Sequence, residues 1–144
     1  MIRKMNKKDI PNILNLWLET NLEAHSFIDN AYFVSNVNNV KEELSDAIVY
    51  VYEENEEIIG FIGLEDNYIA GIFIDSKYQG KGIGNELLSK VKEIDENLTL
   101  KVYAKNEKAL NFYKKQGFII VHEVLDEVNN EKELVMVYTT KKQA

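Results

Sequence analysis

Residues 72–88, IFIDSKYQGKGIGNELL, pass from an apolar run through a glycine-rich stretch into the first turns of an amphipathic helix. No other stretch restricts the fold so sharply, because strand, loop and helix N-terminus in that order make an anion site. Gly80, Gly82 and Gly84 alternate with other residues, so the main chain there takes unusual dihedrals and admits a ligand closely. The helix that follows turns its unpaired N–H groups and the positive end of its dipole back on the loop. A phosphate is the natural guest.

Spacing decides between kinds of phosphate loop. A dinucleotide fingerprint needs G-x-G-x-x-G or a final Ala; Gly80 and Gly82 fit, but Asn85 stands third. A P-loop needs Gly-Lys-Ser/Thr after four residues, which the chain lacks. What remains is Q-x-x-G-x-G, written by Gln79, Gly82 and Gly84.

A chain of 144 residues reads as a single domain, 1–144, large enough to bury a core without staples. It has no cysteine, which excludes disulfides, a thiolate nucleophile and Cys-ligated metal, and no metal is expected. Neither a signal-peptide pattern nor an apolar run long enough to span a membrane is present, so the expected setting is soluble and cytoplasmic, with no membrane partner. A formal net charge of −7 argues against a nucleic-acid partner and suits a cationic substrate. Pro11 is the one proline, and no linker or repeat interrupts the chain.

In order, residues 1–5 read as a short strand, with Asn6 and Asp9 as a capped helix start. Ile10, Ile13, Leu14, Trp17 and Leu18 share one helical face. Residues 21–45 read as one or two helices broken near Asp29 and Asn30, with Val37, Val40 and Leu44 on an apolar face. Runs at 47–53, 58–64 and 68–74 form an antiparallel meander, the third apolar enough to imply burial on both faces. A helix over 82–96, with Ile94 among its inward residues, leads to an alternating strand at 97–104, parallel to the third run because the crossover returns the chain in the same direction. A helix over 106–116 is closed by Gly117, and strands at 118–127 and 133–139 make a hairpin. The fold class is α+β, about seven mostly antiparallel strands in one mixed sheet with three or four helices.

The glycine loop resembles the acetyl-CoA loop of the GNAT superfamily of N-acetyltransferases. Residues 106–118, NEKALNFYKKQGF, are similar to that family's second signature, N-x-x-A-x-x-F-Y-x-x-x-G-F, through Asn106, Ala109, Phe112, Tyr113, Gly117 and Phe118. Both signatures, in order and separated by a strand, are specific together where either alone is weak. The element order also matches the family's over the whole chain. The segment 22–29, LEAHSFID, is similar to a small bacterial subgroup.

The resemblance implies a GNAT-like fold with a splayed strand pair, and a chain that moves an acetyl group from acetyl-CoA to an amine acceptor by direct attack in a ternary complex. Main-chain groups of Gln79, Gly80, Lys81, Gly82, Ile83 and Gly84 would hold the pyrophosphate, and Ile72, Phe73 and Ile74 would bind the pantetheine arm through their backbone. Asn106 would contact the cofactor or cap its helix. Tyr113 is implied as the general acid that meets the departing thiolate; the ordinary values, about 8.5 for a thiol and about 10 for a phenol, make a hydrogen bond to developing charge the firmer statement.

The base is less legible. Some relatives use a glutamate on the strand after the loop's helix, but Lys101 stands at the matching position. Glu65 or Asp66 acting through water, or His25 folded over the site, are the alternatives. His25, Phe27 and Tyr103 are expected to line the acceptor pocket. The acceptor itself, whether a small-molecule or a protein amine, and the oligomeric state stay open. A catalytically silent acyl-CoA sensor is the rival reading.

Overall fold

The computed structural model describes residues 1–140. In chain order its elements are β1 (Ile2–Lys4), α1 (Ile10–Ala24), α2 (Asn30–Leu44), β2 (Ile48–Glu54), β3 (Glu57–Glu65), β4 (Tyr68–Ile74), α3 (Ile83–Lys92), β5 (Asn97–Tyr103), α4 (Glu107–Lys115), β6 (Ile119–Asp126) and β7 (Glu131–Thr139). The strands form one mixed sheet in the order β1-β2-β3-β4-β5-β7-β6. Among the described residues no helix is long and apolar enough to cross a membrane.

Two apolar layers sandwich the sheet. On one face α3 and α4 bury Leu87, Leu88, Val91 and Tyr113 against Ile62, Leu64, Leu98, Leu100 and Met136. On the other, Ile13 and Leu16 of α1 and Leu44 of α2 cover Val49, Val51 and Phe61. The N-terminus is fastened to this second layer by charge. Arg3 donates to both oxygens of buried Asp9 at 2.7 and 3.0 Å and to Glu53 of β2 at 3.2 Å. The Arg3 hydrogen bonds hold the Asp9 carboxyl below its ordinary range. The capped start at Asn6 is present as a capping box on a 3₁₀ turn that runs into α1.

The β4–β5 pair positions the site. The two strands are parallel yet matched only at Tyr68 and Thr99, where the Thr99 N–H donates to the Asn67 carbonyl at 2.9 Å. Beyond that point their facing edges diverge. The start of the divergence coincides with an irregularity in β4: Leu64 opposes Ile69 and Gly63 opposes Gly71, leaving Ala70 as an extra residue. A bulge of this kind bends and twists a strand.

That splay corrects one expectation. The 68–74 run lies in the middle of the sheet, but only Ile69 is fully buried; Ile72, Phe73 and Ile74 are half-buried and Ala70 is exposed. Its apolar character serves an open cleft rather than two packed faces. The helix expected over 82–96 also ends early, at Lys92. There the Ile94 N–H turns back to the Val91 carbonyl, and Ile94, expected inward, is 45% exposed.

Candidate active site

The donor half begins where β4 ends. The Asp75 carboxylate accepts the Lys77 N–H at 3.0 Å and starts a 3₁₀ turn, after which Gly80 and Gly82 take positive φ, +80° and +85°. Gly82 is the N-cap of α3 and supplies no side chain to that helix end, so its first N–H groups are left for a ligand. A Cβ built on Gly80 or Gly82 would meet nothing within 4 Å, so the space before the loop is open. Gly84 differs: a Cβ there would press on the Phe112 ring of α4 at 3.3 Å. Gln79 braces the loop, donating to the Ile74 carbonyl at 3.0 Å and accepting from Lys108 of α4 at 2.6 Å.

A cleft of about 840 Å³ runs from this loop to the splay. Of the residues singled out from sequence, it is lined by Ile72, Phe73, Ile74, Gln79, Gly80, Gly82, Ile83, Gly84, His25, Asn106 and Tyr113. Lys81 is not on the cleft lining; its ammonium stands 5.4 Å from the Tyr78 ring centroid. Loop backbone, an apolar strand edge and a volume of this size together fit an elongated ligand with a phosphate at one end.

Tyr113 closes the inner end. Asn106 caps α4 by accepting the Ala109 N–H at 3.2 Å, and two turns later Tyr113 is 7% exposed. Burial pushes its phenol up, the neighbouring Tyr68 adds to this, and a main-chain hydrogen bond from Ile72 works the other way. The hydroxyl therefore stays protonated at neutral pH, at the strand edge where the cleft narrows.

His25 is more tightly held than a surface histidine. Its Nδ1 lies 3.0 Å from the Asn21 Oδ1 and its Nε2 lies 3.0 Å from the Asn106 Nδ2. Asn21 donates through its own Nδ2 to the Trp17 carbonyl, and Asn106 accepts from Ala109 through its Oδ1. With both amides so oriented, the ring must carry its proton on Nδ1 and accept at Nε2. In this tautomer the His25 lone pair accepts from the Asn106 amide. Burial pushes the imidazole down to about 4.

A stability signature follows. The unfolded histidine protonates near pH 6.5 while the folded one resists until about 4. Stability contributed by this site is therefore full above 6.5 and falls as pH drops toward 4. Thermal melts at pH 7, 6 and 5 should show a steeper loss for the wild type than for His25→Gln; equal slopes contradict the assignment.

Tyr103, expected in the acceptor pocket, lies on β5 beside β7. Tyr103 packs edge-on against His25 and Phe27 at 5.1 and 5.7 Å, and its hydroxyl donates to Asp126 at 2.7 Å. Neither Tyr103 nor Phe27 lines the donor cleft; they form a wall behind His25. Burial works against the Asp126 carboxylate, but hydrogen bonds from Asn129, Tyr103 and the main chain hold it below the ordinary range. Glu133, opposite Tyr103 in the sheet, is pushed up by burial and by Asp126, against the pull of Lys101. Tyr32 and Tyr68 are raised by burial first and then by these acids: Asp126 and Glu133 act on Tyr32, and Glu133, Glu65 and Glu43 on Tyr68.

Glu65 is not on the cleft. It lines a separate cavity of about 220 Å³ under α2 with Glu43 and Tyr32, and Phe73 lines both spaces. Asp66 is an exposed turn residue. Sequence reasoning missed Glu133, Asp126 and Tyr68, which strand pairing alone brings together; Asn21 had a legible signal, one helical turn before His25.

Comparison with known proteins meets this geometry. The family model described as an acetyltransferase (GNAT) domain matches residues 45–120, the stretch from the meander through both signatures. The chain belongs to the GNAT acetyltransferase family. Like other members it is an N-acetyltransferase, and its relatives agree. It is 37% identical to the peptidyl-lysine N-acetyltransferase YiaC of Escherichia coli over 84% of each chain, and 30% identical to the peptidyl-lysine N-acetyltransferase YjaB of Salmonella typhimurium over 81% of each. The solution structure of apo YjaB from Escherichia coli superposes with a TM-score of 0.83 at 26% identity, covering 96% of both chains. The fold is also shared with the PaiA N-acetyltransferase of Thermoplasma acidophilum crystallised with coenzyme A, at a TM-score of 0.81 and 19% identity over 96% of this chain and 98% of that one.

Proposed function

We propose that this GNAT enzyme takes acetyl-CoA as donor and acetylates the side-chain amine of lysine in a protein or peptide. The observation that carries the donor half is the convergence, in one cleft, of the unpaired α3 N-terminus, the free β4 edge and the buried Tyr113 hydroxyl. The backbone N–H groups of residues 79–84 hold the pyrophosphate without a required lysine. The edge of β4 at Ile72, Phe73 and Ile74 aligns the pantetheine arm, and a strand N–H polarises the thioester carbonyl as charge develops on it.

The amine nitrogen attacks the carbonyl carbon, the C–S bond breaks, and Tyr113 donates a hydrogen bond or its proton to the departing sulfur. The proton shed by the new amide nitrogen passes by way of water to restore the phenol or to the thiolate. The chain has no cysteine to carry the acetyl group, which supports direct transfer over a Cys-based covalent relay. A lysine acceptor is mostly protonated at neutral pH and must lose a proton first. Carboxylates around the acceptor half attract that cation and accept its proton by way of water. Glu133, half-buried and made more basic by burial and by Asp126, suits this role alongside Glu65, whose cavity shares the Phe73 ring with the cleft. The peptidyl-lysine activity named for the YiaC and YjaB relatives supports the same acceptor class.

The test is a panel of acceptors assayed by release of free CoA thiol: lysine peptides, peptides with only a free N-terminus, polyamines and amino sugars. Turnover should be greatest with internal lysine. Preference for a free α-amine would overturn the acceptor, and CoA binding without turnover on any amine would favour the silent sensor.

A further inference from the structure

α1 and α4 pack on opposite faces of the sheet, with the β4–β5 opening between them. One hydrogen bond crosses that mouth between side chains 81 positions apart, from the Asn106 amide to the His25 ring. It is the central link of a chain that runs from the Ala109 N–H through Asn106, His25 and Asn21 to the Trp17 carbonyl. Every donor in the chain meets an acceptor, and both ends are main-chain groups of helices, so no amide can flip without setting donor against donor. The His25 ring is also held on its flanks: Phe33 stacks at 5.9 Å, and Phe27 and Tyr103 meet it edge-on. Asn106 lines the donor cleft, and with one amide hydrogen given to His25 its second remains for a ligand.

We propose that His25 is a positioning residue that couples the two halves of the site, holding the Asn106 amide toward the donor from the connection between α1 and α2 that walls the acceptor side. This rests on the donor reading given above. An acceptor that settles against Phe27 and Tyr103 steadies the ring, the ring steadies Asn106, and donor binding tightens. The coupling is reciprocal, so bound donor tightens the acceptor by the same factor. Loss of the ring leaves the Asn106 donor without its partner in a half-buried place, an unmade hydrogen bond of the kind that weakens binding by about tenfold.

The experiment is calorimetric titration of CoA into wild type, His25→Ala and His25→Gln, with and without a saturating lysine peptide, each variant first checked by thermal melting. The glutamine oxygen can still accept from Asn106. Wild type should bind CoA several-fold more tightly with peptide present. His25→Ala should bind CoA about tenfold more weakly and lose the peptide's effect, while His25→Gln retains most of both. Nitrogen chemical shifts of the wild-type ring provide a second readout, which does not depend on any variant folding, and should report the proton on Nδ1. CoA affinity in His25→Ala within twofold of wild type, peptide coupling that survives in it, or a proton on Nε2 overturns the relay alone. Wild-type protein that binds no CoA overturns the donor reading, and the relay with it.

Discussion

Replacing Tyr113 with Phe lowers kcat about a hundredfold, within the range that a positioned acid or hydrogen-bond donor supplies, and leaves CoA affinity nearly unchanged. The ring is buried in the α3–α4 layer beside Phe118 and Phe112, and phenylalanine keeps that packing. What the variant loses is the hydroxyl alone, so the proposed pyrophosphate and pantetheine contacts are untouched and CoA binding does not weaken. Steady-state thiol release with a saturating lysine peptide measures the effect. Turnover equal to wild type would remove Tyr113 from the chemistry.

Gly82→Asp abolishes measurable CoA binding or weakens it by at least about a hundredfold, whereas Gly82→Ala weakens it far less. Alanine bears the backbone penalty of a non-glycine residue at φ +85° in full, about 1–2 kcal/mol, and aspartate bears no more than that; both side chains have room, since a Cβ there meets nothing within 4 Å. They differ by a carboxylate set at the helix N-terminus, where the pyrophosphate would sit. The gap between the two therefore isolates the anion site from loop strain, and it should narrow as ionic strength rises. Calorimetry giving equal CoA affinities for the two variants would show that the loop does not bind an anion.

The loop and helix ends of the proposed donor half were legible because their determinants are local in the chain. Gly80 and Gly82 show their left-handed backbone in their identity, Asn106 and Gly117 mark the two ends of α4, and Tyr113 follows Asn106 at helical spacing on the cleft side. The acceptor half was not, because strand pairing assembles it. Glu133 meets Tyr103 through the β5–β7 register, and Asp126 reaches the same tyrosine from the hairpin end; neither spacing nor composition joins them. The same distinction explains one misreading: the apolar 68–74 run looked doubly buried because a pattern cannot show that its neighbouring strand diverges. The hold on His25 was not legible either, because the amide that meets its Nε2 comes from Asn106, far along the chain.

Mass spectrometry of an internal-lysine peptide after incubation with acetyl-CoA and either wild-type protein or Tyr113→Phe, with CoA binding confirmed for both, tests the proposed chemistry most directly. The wild type should acetylate the lysine side chain, and the variant should form product about a hundredfold more slowly at equal donor occupancy. Wild-type protein that binds CoA yet leaves the lysine unmodified would contradict it.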